Sequence, residues 1–361
     1  MEDKDMSITL PNYISGEYAV GTECFTVVDD TRTEVLGPGV GPRKIAVRMY
    51  YPINRESVKD TKKAEIFTER KLKALGKAYF VNPKKIPSEM LVADYYEGVA
   101  HVENRKFPLI IYNHGYNAYV ECNTFLCCEL ASNGYIVASV GHAYEAIVNE
   151  YEDGTYDLYD KKINKMMYDS VIKTVLAQSK LLKAKGTPEE LFEKFDMFQQ
   201  KYCKYIIERI PEWAKDTTCV VDELKTRYAE WIDFSKGIGA TGHSMGGATA
   251  YYLCHHEAEF VCGVNVDGGI FGNYEGMIMK KPFLQICSTD NYNVVTRALF
   301  NTEAPVRCEI FENLKHIGFT DAKFMIPLKM VVGKMDANEM YERLSDLHLG
   351  FLKKYLFRQE D

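Results

Sequence analysis

The feature that most constrains this chain's fold is a series of short apolar runs, each closed by turn residues. FPLIIYNHGYN (107–117), YIVASVGH (135–142), GIGATGH (237–243), FVCGVNVD (260–267), KPFLQICSTD (281–290) and APVRCEIFENLKH (304–316) share this form, with helical sequence between them. Buried strands alternating with helices predict an α/β fold: a mostly parallel central sheet with helices on both faces. Upstream, YAVGTECFTVVDD and KIAVRMYYP flank the turn-rich LGPGVGPR and read as a strand pair. Helical periodicity runs from about Ala64 to Lys77, and NTFLCCELASNG reads as a helix closed by Gly134. The chain closes on MDANEMYERLSDLHLGFLKKYL, where Asp336 and Glu339 have capping-box spacing and Met340, Leu344, Leu347 and Phe351 share one face.

Residues 1–361 fit one domain, with one break in the alternation. The stretch from about 143 to 236 is far longer than an ordinary crossover. It predicts one core helix plus a helical insertion. Tyr168, Val171, Ile172, Val175 and Leu176 form an apolar stripe, and TPEELFEKFDMFQQKYCKYIIERI reads as a helix capped by Thr187 with Glu190 three residues on. Such an insertion is either a solvated decoration or a cap over a pocket. The tyrosines of YEDGTYDLYDKKINKMMYD either wall the leaving-group side or lie exposed on a surface loop.

The formal net charge of −7 argues against a nucleic-acid partner, which needs a basic face. Ten cysteines without a C-x-x-C pair read as reduced, buried thiols rather than a metal site or disulfide framework. No metal or cofactor is implied. The N-terminal residues carry no secretory pattern and no run of 18 apolar residues occurs, so the expectation is a cytoplasmic protein without a transmembrane segment.

Gly-His-Ser-Met-Gly at 242–246 is the chemical feature. By composition a Gly-x-Ser-x-Gly arises by chance in roughly one chain in ten of this length, so its context carries the argument. GIGATGH supplies a strand before Ser244, and GGATAYYLCHH supplies small residues and then a helix. That strand, turn and helix would expose Ser244 at a strand's carboxyl end and at a helix N-terminus. A serine hydroxyl needs a base, and the base needs an orienting acid.

His316 follows the last apolar run, at the matching end of the sheet, and is the candidate base. His255 and His256 sit at the far end of the elbow helix, and His348 lies in the terminal helix. His243 leaves the elbow on the other side and reads as packing. Asp267 and Asp290 each end a strand, and the residues do not choose between them as the acid. The oxyanion site needs two backbone N–H groups. Met245, directly after the serine, supplies one, and Tyr116, in the loop after IIYNHG, supplies the other. His114 shapes that loop.

Together, PLIIYNHGYNAY, LASNGYIVASVGHAYEA, IGATGHSMGGATA, VNVDGGIF and LKHIGFTD resemble the platelet-activating-factor acetylhydrolases of the plasma and intracellular type II kind and their bacterial relatives. The resemblance runs from about residue 45 to the end and is weakest in 53–105 and 185–235. It implies an α/β-hydrolase that cleaves short or oxidised acyl esters without a metal. It assigns Ser244 as nucleophile, His316 as base and the Met245 and Tyr116 amides as oxyanion donors. It also favours Asp267 over Asp290. Two departures bear on the substrate: Met245 stands where the family often has an aromatic, and the segment from about 185 to 215 is long.

The expected function is therefore a serine carboxylic-ester hydrolase acting through an acyl-enzyme on a small or lipid-like ester. A thioesterase, amidase or acyltransferase would use the same residues. A non-catalytic binding scaffold would not need the Ser, Asp, His order. Natural substrate and oligomeric state are outside what the residues specify.

Overall fold

Alternate residues of the central strands face opposite layers, and this period of two builds the core. In the computed structural model, which describes residues 14–39, 41–59, 61–79, 82, 94–163, 171–326 and 328–357, eleven strands are present. They are β1 (Ala19–Thr33), β2 (Pro42–Ile53), β3 (Tyr95–Glu97), β4 (Leu109–Asn113), β5 (Ile136–Val140), β6 (Val148–Glu150), β7 (Tyr156–Leu158), β8 (Ile238–His243), β9 (Phe260–Val266), β10 (Phe283–Ser288) and β11 (Val306–Phe311). The main sheet has the order β11-β10-β9-β8-β4-β5-β2-β1-β3, and β6 and β7 form a separate hairpin. The run from β5 to β11 is parallel, while β2 joins both β5 and β1 antiparallel. This is the expected architecture.

The longer helices are α1 (Glu69–Tyr79), α2 (Thr124–Ser132), α3 (Val171–Leu182), α4 (Pro188–Tyr202), α5 (Lys204–Arg227), α6 (Met245–His256) and α7 (Ala337–Leu356). Ile110, Tyr112, Val137, Val264 and Ile286 point to the layer made by α2 and α7. Leu109, Ile111, Ile136, Ala138 and Ala240 point to the layer made by α5 and α6. One strand thus feeds both cores, which is why these runs read as continuously apolar. The pairing also levels the strand ends: Asn113 is opposite Gly242, His243 opposite Val266, and Ser288 opposite Phe311. Residues following β4, β8, β9 and β11 therefore emerge at one edge of the sheet.

Three local expectations change. The helix expected from Ala64 starts at Glu69, because the Ala64 N–H donates to the Tyr95 carbonyl and Lys63 bridges Tyr96 at the sheet edge. The helix expected across 187–210 is two helices that meet at Cys203. α4 packs on the turns after β10, whereas α5 turns onto the elbow helix α6. The Thr187–Glu190 capping box is present as expected. Of the apolar stripe, Tyr168 lies outside the described residues, and Val175 and Leu176 are exposed. Among the side chains of α3 that are described, Leu181 is buried, and the Asn293 amide donates to the Leu181 and Ala184 carbonyls. Among the described residues, no helix is long and apolar enough to cross a membrane. The ten cysteines all lie in the described residues and none is in a disulfide; seven of them are buried.

Candidate active site

β8 ends in a tight turn at Ser244. Ser244 has φ 55° and ψ −121°, a left-handed conformation that strains a residue with a Cβ by about 1–3 kcal/mol. The turn closes because its neighbours lack side chains: a Cβ on Gly246 would lie 2.0 Å from the Asn113 carbonyl oxygen. The Ser244 N–H donates to the Val266 carbonyl at 2.8 Å, and its own carbonyl starts α6 by accepting from Ala248. The hydroxyl is thereby projected at the sheet edge.

His316 lies beyond β11 in a short 3-10 turn. Its Nε2 is 2.9 Å from Ser244 Oγ, and its Nδ1 is 2.8 Å from Asp267 Oδ2. Asp267 is buried, with φ 56°, directly after β9. Its Oδ1 accepts from the Ser288 N–H at 2.6 Å, and its Oδ2 also accepts from Asn291 Nδ2 at 2.8 Å. The Ser288 N–H and the Asn291 amide both donate to this carboxylate, which leaves His316 Nδ1 to donate as well. The imidazole is therefore held with hydrogen on Nδ1 and a lone pair on Nε2 facing the serine. Asp290 is exposed at the surface, where it pairs with Lys315. The structure thus brings Ser244, His316 and Asp267 together and leaves Asp290 outside the cluster.

His243 donates from Nε2 to the His316 carbonyl at 2.9 Å, and the two rings are 4.6 Å apart. Burial holds its pKa well below the ordinary imidazole value, so it remains a neutral latch on the His316 loop. Asn123 adds a second latch, with Nδ2 donating to the Phe319 carbonyl.

The loop after β4 runs beside the serine: a Cβ on Gly115 would be 3.1 Å from Ser244 Cβ. His114 donates from Nδ1 to the Gly115 carbonyl and accepts the His142 N–H at Nε2. Burial lowers its pKa to about 4, which keeps it neutral. Tyr116 follows Gly115 and packs in the same cluster as Met245, with Ile210 and Trp213 of α5. Met245 opens α6, so its amide is among the first-turn N–H groups without an intrahelical acceptor. The phenol of Tyr116 meets that of Tyr159 at 2.6 Å.

Sequence reasoning missed Asn291, one residue beyond the Asp290 it considered. It also missed Gln199, which binds Gly272 in both directions, accepting its N–H at 2.9 Å and donating to its carbonyl at 3.0 Å. That reciprocal pair ties α4 to the loop that begins at Asp267. Phe195 of α4 and Phe271 of that loop meet edge to face at 5.2 Å. No local pattern signals a contact between residues so far apart in sequence.

The sheet order, the strained serine after β8 and the loops at the carboxyl ends of the strands define an α/β-hydrolase fold. The fold matches a ferulic acid esterase from Streptomyces cinnamoneus with a TM-score of 0.74 at 20% identity, over 97% of this chain and 93% of that one. Residues 4–361 match the family described as platelet-activating factor acetylhydrolase, isoform II, and the chain belongs to that family. Among curated relatives, the platelet-activating factor acetylhydrolase of Canis lupus familiaris is 22% identical over 344 residues, covering 87% of this chain and 72% of that protein. The Gallus gallus protein of the same name is 24% identical over 316 residues, covering 79% and 72%. The match to the Cavia porcellus protein, at 24% identity, spans 58% of that protein's length and 70% of this chain.

Proposed function

We propose that this chain is a carboxylic-ester hydrolase working through Ser244, His316 and Asp267. His316 Nε2 takes the Ser244 proton as Oγ attacks the ester carbonyl. Asp267 holds the imidazole in the required tautomer and stabilises the imidazolium. The Tyr116 and Met245 amides receive the oxyanion. The alcohol leaves with the proton from His316. Water then gives up a proton to the same nitrogen and releases the acid from the acyl-enzyme.

The observation that most supports this is the continuous chain of contacts from Ser244 Oγ to Asp267, at 2.9 and 2.8 Å. The substrate we favour is a short-acyl ester of the kind named by the curated relatives, platelet-activating factor. α4 and α5 act as the wall of its pocket, since they pack on Phe271, Met245 and Tyr116. Seven buried free thiols favour a reducing compartment such as the cytoplasm.

A fluorophosphonate probe tests the chemistry. Intact mass should show one adduct that is lost in Ser244→Ala. An adduct that persists in Ser244→Ala sinks this assignment. Matched ester, thioester and amide substrates, with a series of acyl lengths, then define the bond and chain that are cleaved.

A further inference from the structure

Glu145 follows β5 in GHAYEA, and the reaction just described gives it no part. It is fully buried. Its Oε1 accepts from Tyr205 Oη at 3.1 Å and Arg209 Nε at 3.0 Å, and its Oε2 accepts from Arg209 Nη2 at 2.7 Å and Trp213 Nε1 at 2.9 Å. Tyr205, Arg209 and Trp213 recur every four residues along one face of α5. The side chain of Glu145 is thus committed to α5. Its main chain is committed elsewhere: the Glu145 carbonyl accepts the Asn117 N–H at 2.8 Å. Asn117 comes directly after Tyr116, in a turn closed by the Ala118 N–H on the Gly115 carbonyl.

The surroundings make this junction stiff. Trp213 stacks on His142 at 3.7 Å and meets His114 edge-on at 5.3 Å. His142 Nδ1 is 2.8 Å from Asp216, one turn along α5 from Trp213. Arg43 bonds Asp216 and approaches Glu145 at 3.7 Å. Each buried carboxylate here has a guanidinium partner, so the junction is a closed ionic network rather than a single contact.

We propose that Glu145 is a positioning residue for the oxyanion amides, locking α5 and the Gly115–Ala118 turn into one rigid body. The proposal rests on the oxyanion role assigned above to the Tyr116 amide. A mislaid donor lowers the rate without weakening ground-state binding.

The test compares Glu145→Gln and Trp213→Phe with wild type, using a p-nitrophenyl ester and counting active sites by fluorophosphonate labelling. Per labelled serine, kcat should fall about 10- to 100-fold in Glu145→Gln, with KM within about twofold. Affinity for a trifluoromethyl ketone, which forms a tetrahedral oxyanion on the serine, should fall by the same factor. Trp213→Phe keeps an aromatic ring, smaller than the indole, and removes the Nε1 donor to Glu145, so it reports on the junction even where Glu145→Gln does not fold. It should show a smaller loss of the same form. Unchanged kcat per labelled site in the variants that fold, or a loss carried by KM, overturns the proposal. Ser244→Ala in parallel separates the two ideas: activity retained there refutes the nucleophile, whereas an inactive Ser244→Ala beside a normal Glu145→Gln refutes only this inference.

Discussion

On the proposed reaction, Asp267→Asn isolates the orienting acid. In the wild type, Oδ1 accepts the Ser288 N–H, while Oδ2 accepts from Asn291 and His316. An asparagine amide has one oxygen and one NH2. The Ser288 N–H is fixed by the backbone, so the oxygen faces Ser288 and the NH2 faces His316. Imidazole then presents its lone pair at Nδ1 and carries hydrogen on Nε2, leaving no base against Ser244. Loss of that tautomer is expected to cost about 10³–10⁴ in kcat, or about 4–5.5 kcal/mol of transition-state stabilisation. KM should stay nearly constant, because the site keeps its shape. Asp290→Asn removes one exposed pair with Lys315, worth about 0.2–1 kcal/mol of stability. Its kcat should remain within about twofold of wild type. Steady-state hydrolysis of a short p-nitrophenyl ester at neutral pH measures both. Retention of more than a tenth of kcat by Asp267→Asn, or a collapse confined to Asp290→Asn, would refute the reasoning.

Two further outcomes concern stability. His114, His142 and His348 are buried, with pKa values lowered by burial to about 4, 3 and 4 from an ordinary 6.5. Between about 4 and 6.5 the unfolded chain binds their protons and the folded one does not. Stability is therefore full above 6.5 and falls as pH drops through that window, by about 1.4 kcal/mol per pH unit for each histidine. Urea midpoints measured from pH 7.5 to 4.5 check this, and a flat profile would contradict it. In Gly247→Ala the new Cβ would lie 1.8 Å from Asn265 Oδ1. Asn265 is fixed by Gly268 and Gln285 and has little freedom to retreat. The variant should lose about 3 kcal/mol or more. Gly276→Ala meets nothing within 4 Å and carries only the strain of φ 70°, so it should cost about 1 kcal/mol in the same denaturation assay.

The sequence was most informative where local rules decide. The runs at 107–117, 237–243 and 260–267 form β4, β8 and β9 because continuous burial needs continuous apolarity. The elbow was legible because three glycines surround one serine within six residues, a density that only a crowded turn requires. Illegible parts depend on distant partners. The Arg43–Asp216 pair spans 173 residues, and no periodicity links β2 to α5. Val175 and Leu176 have helical spacing yet face solvent, since spacing defines a face but not which neighbour covers it. The residues alone did not choose between Asp267 and Asp290, since each closes an apolar run; the family resemblance favoured Asp267, which lies 2.8 Å from His316 Nδ1, whereas Asp290 pairs with Lys315.

Asn291 carries a consequence beyond its present hydrogen bond. Its amide nitrogen is 2.8 Å from Asp267 Oδ2 and 3.3 Å from His316 Nδ1. The imidazole therefore already touches side chains rising from two neighbouring strands, although only one is charged. A carboxylate at 291 would occupy a second seat for the acid. Asn291→Asp combined with Asp267→Asn should recover part of the activity lost by Asp267→Asn alone. On the proposed reaction, that recovery would mean that the acid can be supplied from beyond β10 as well as from beyond β9, through two isosteric replacements.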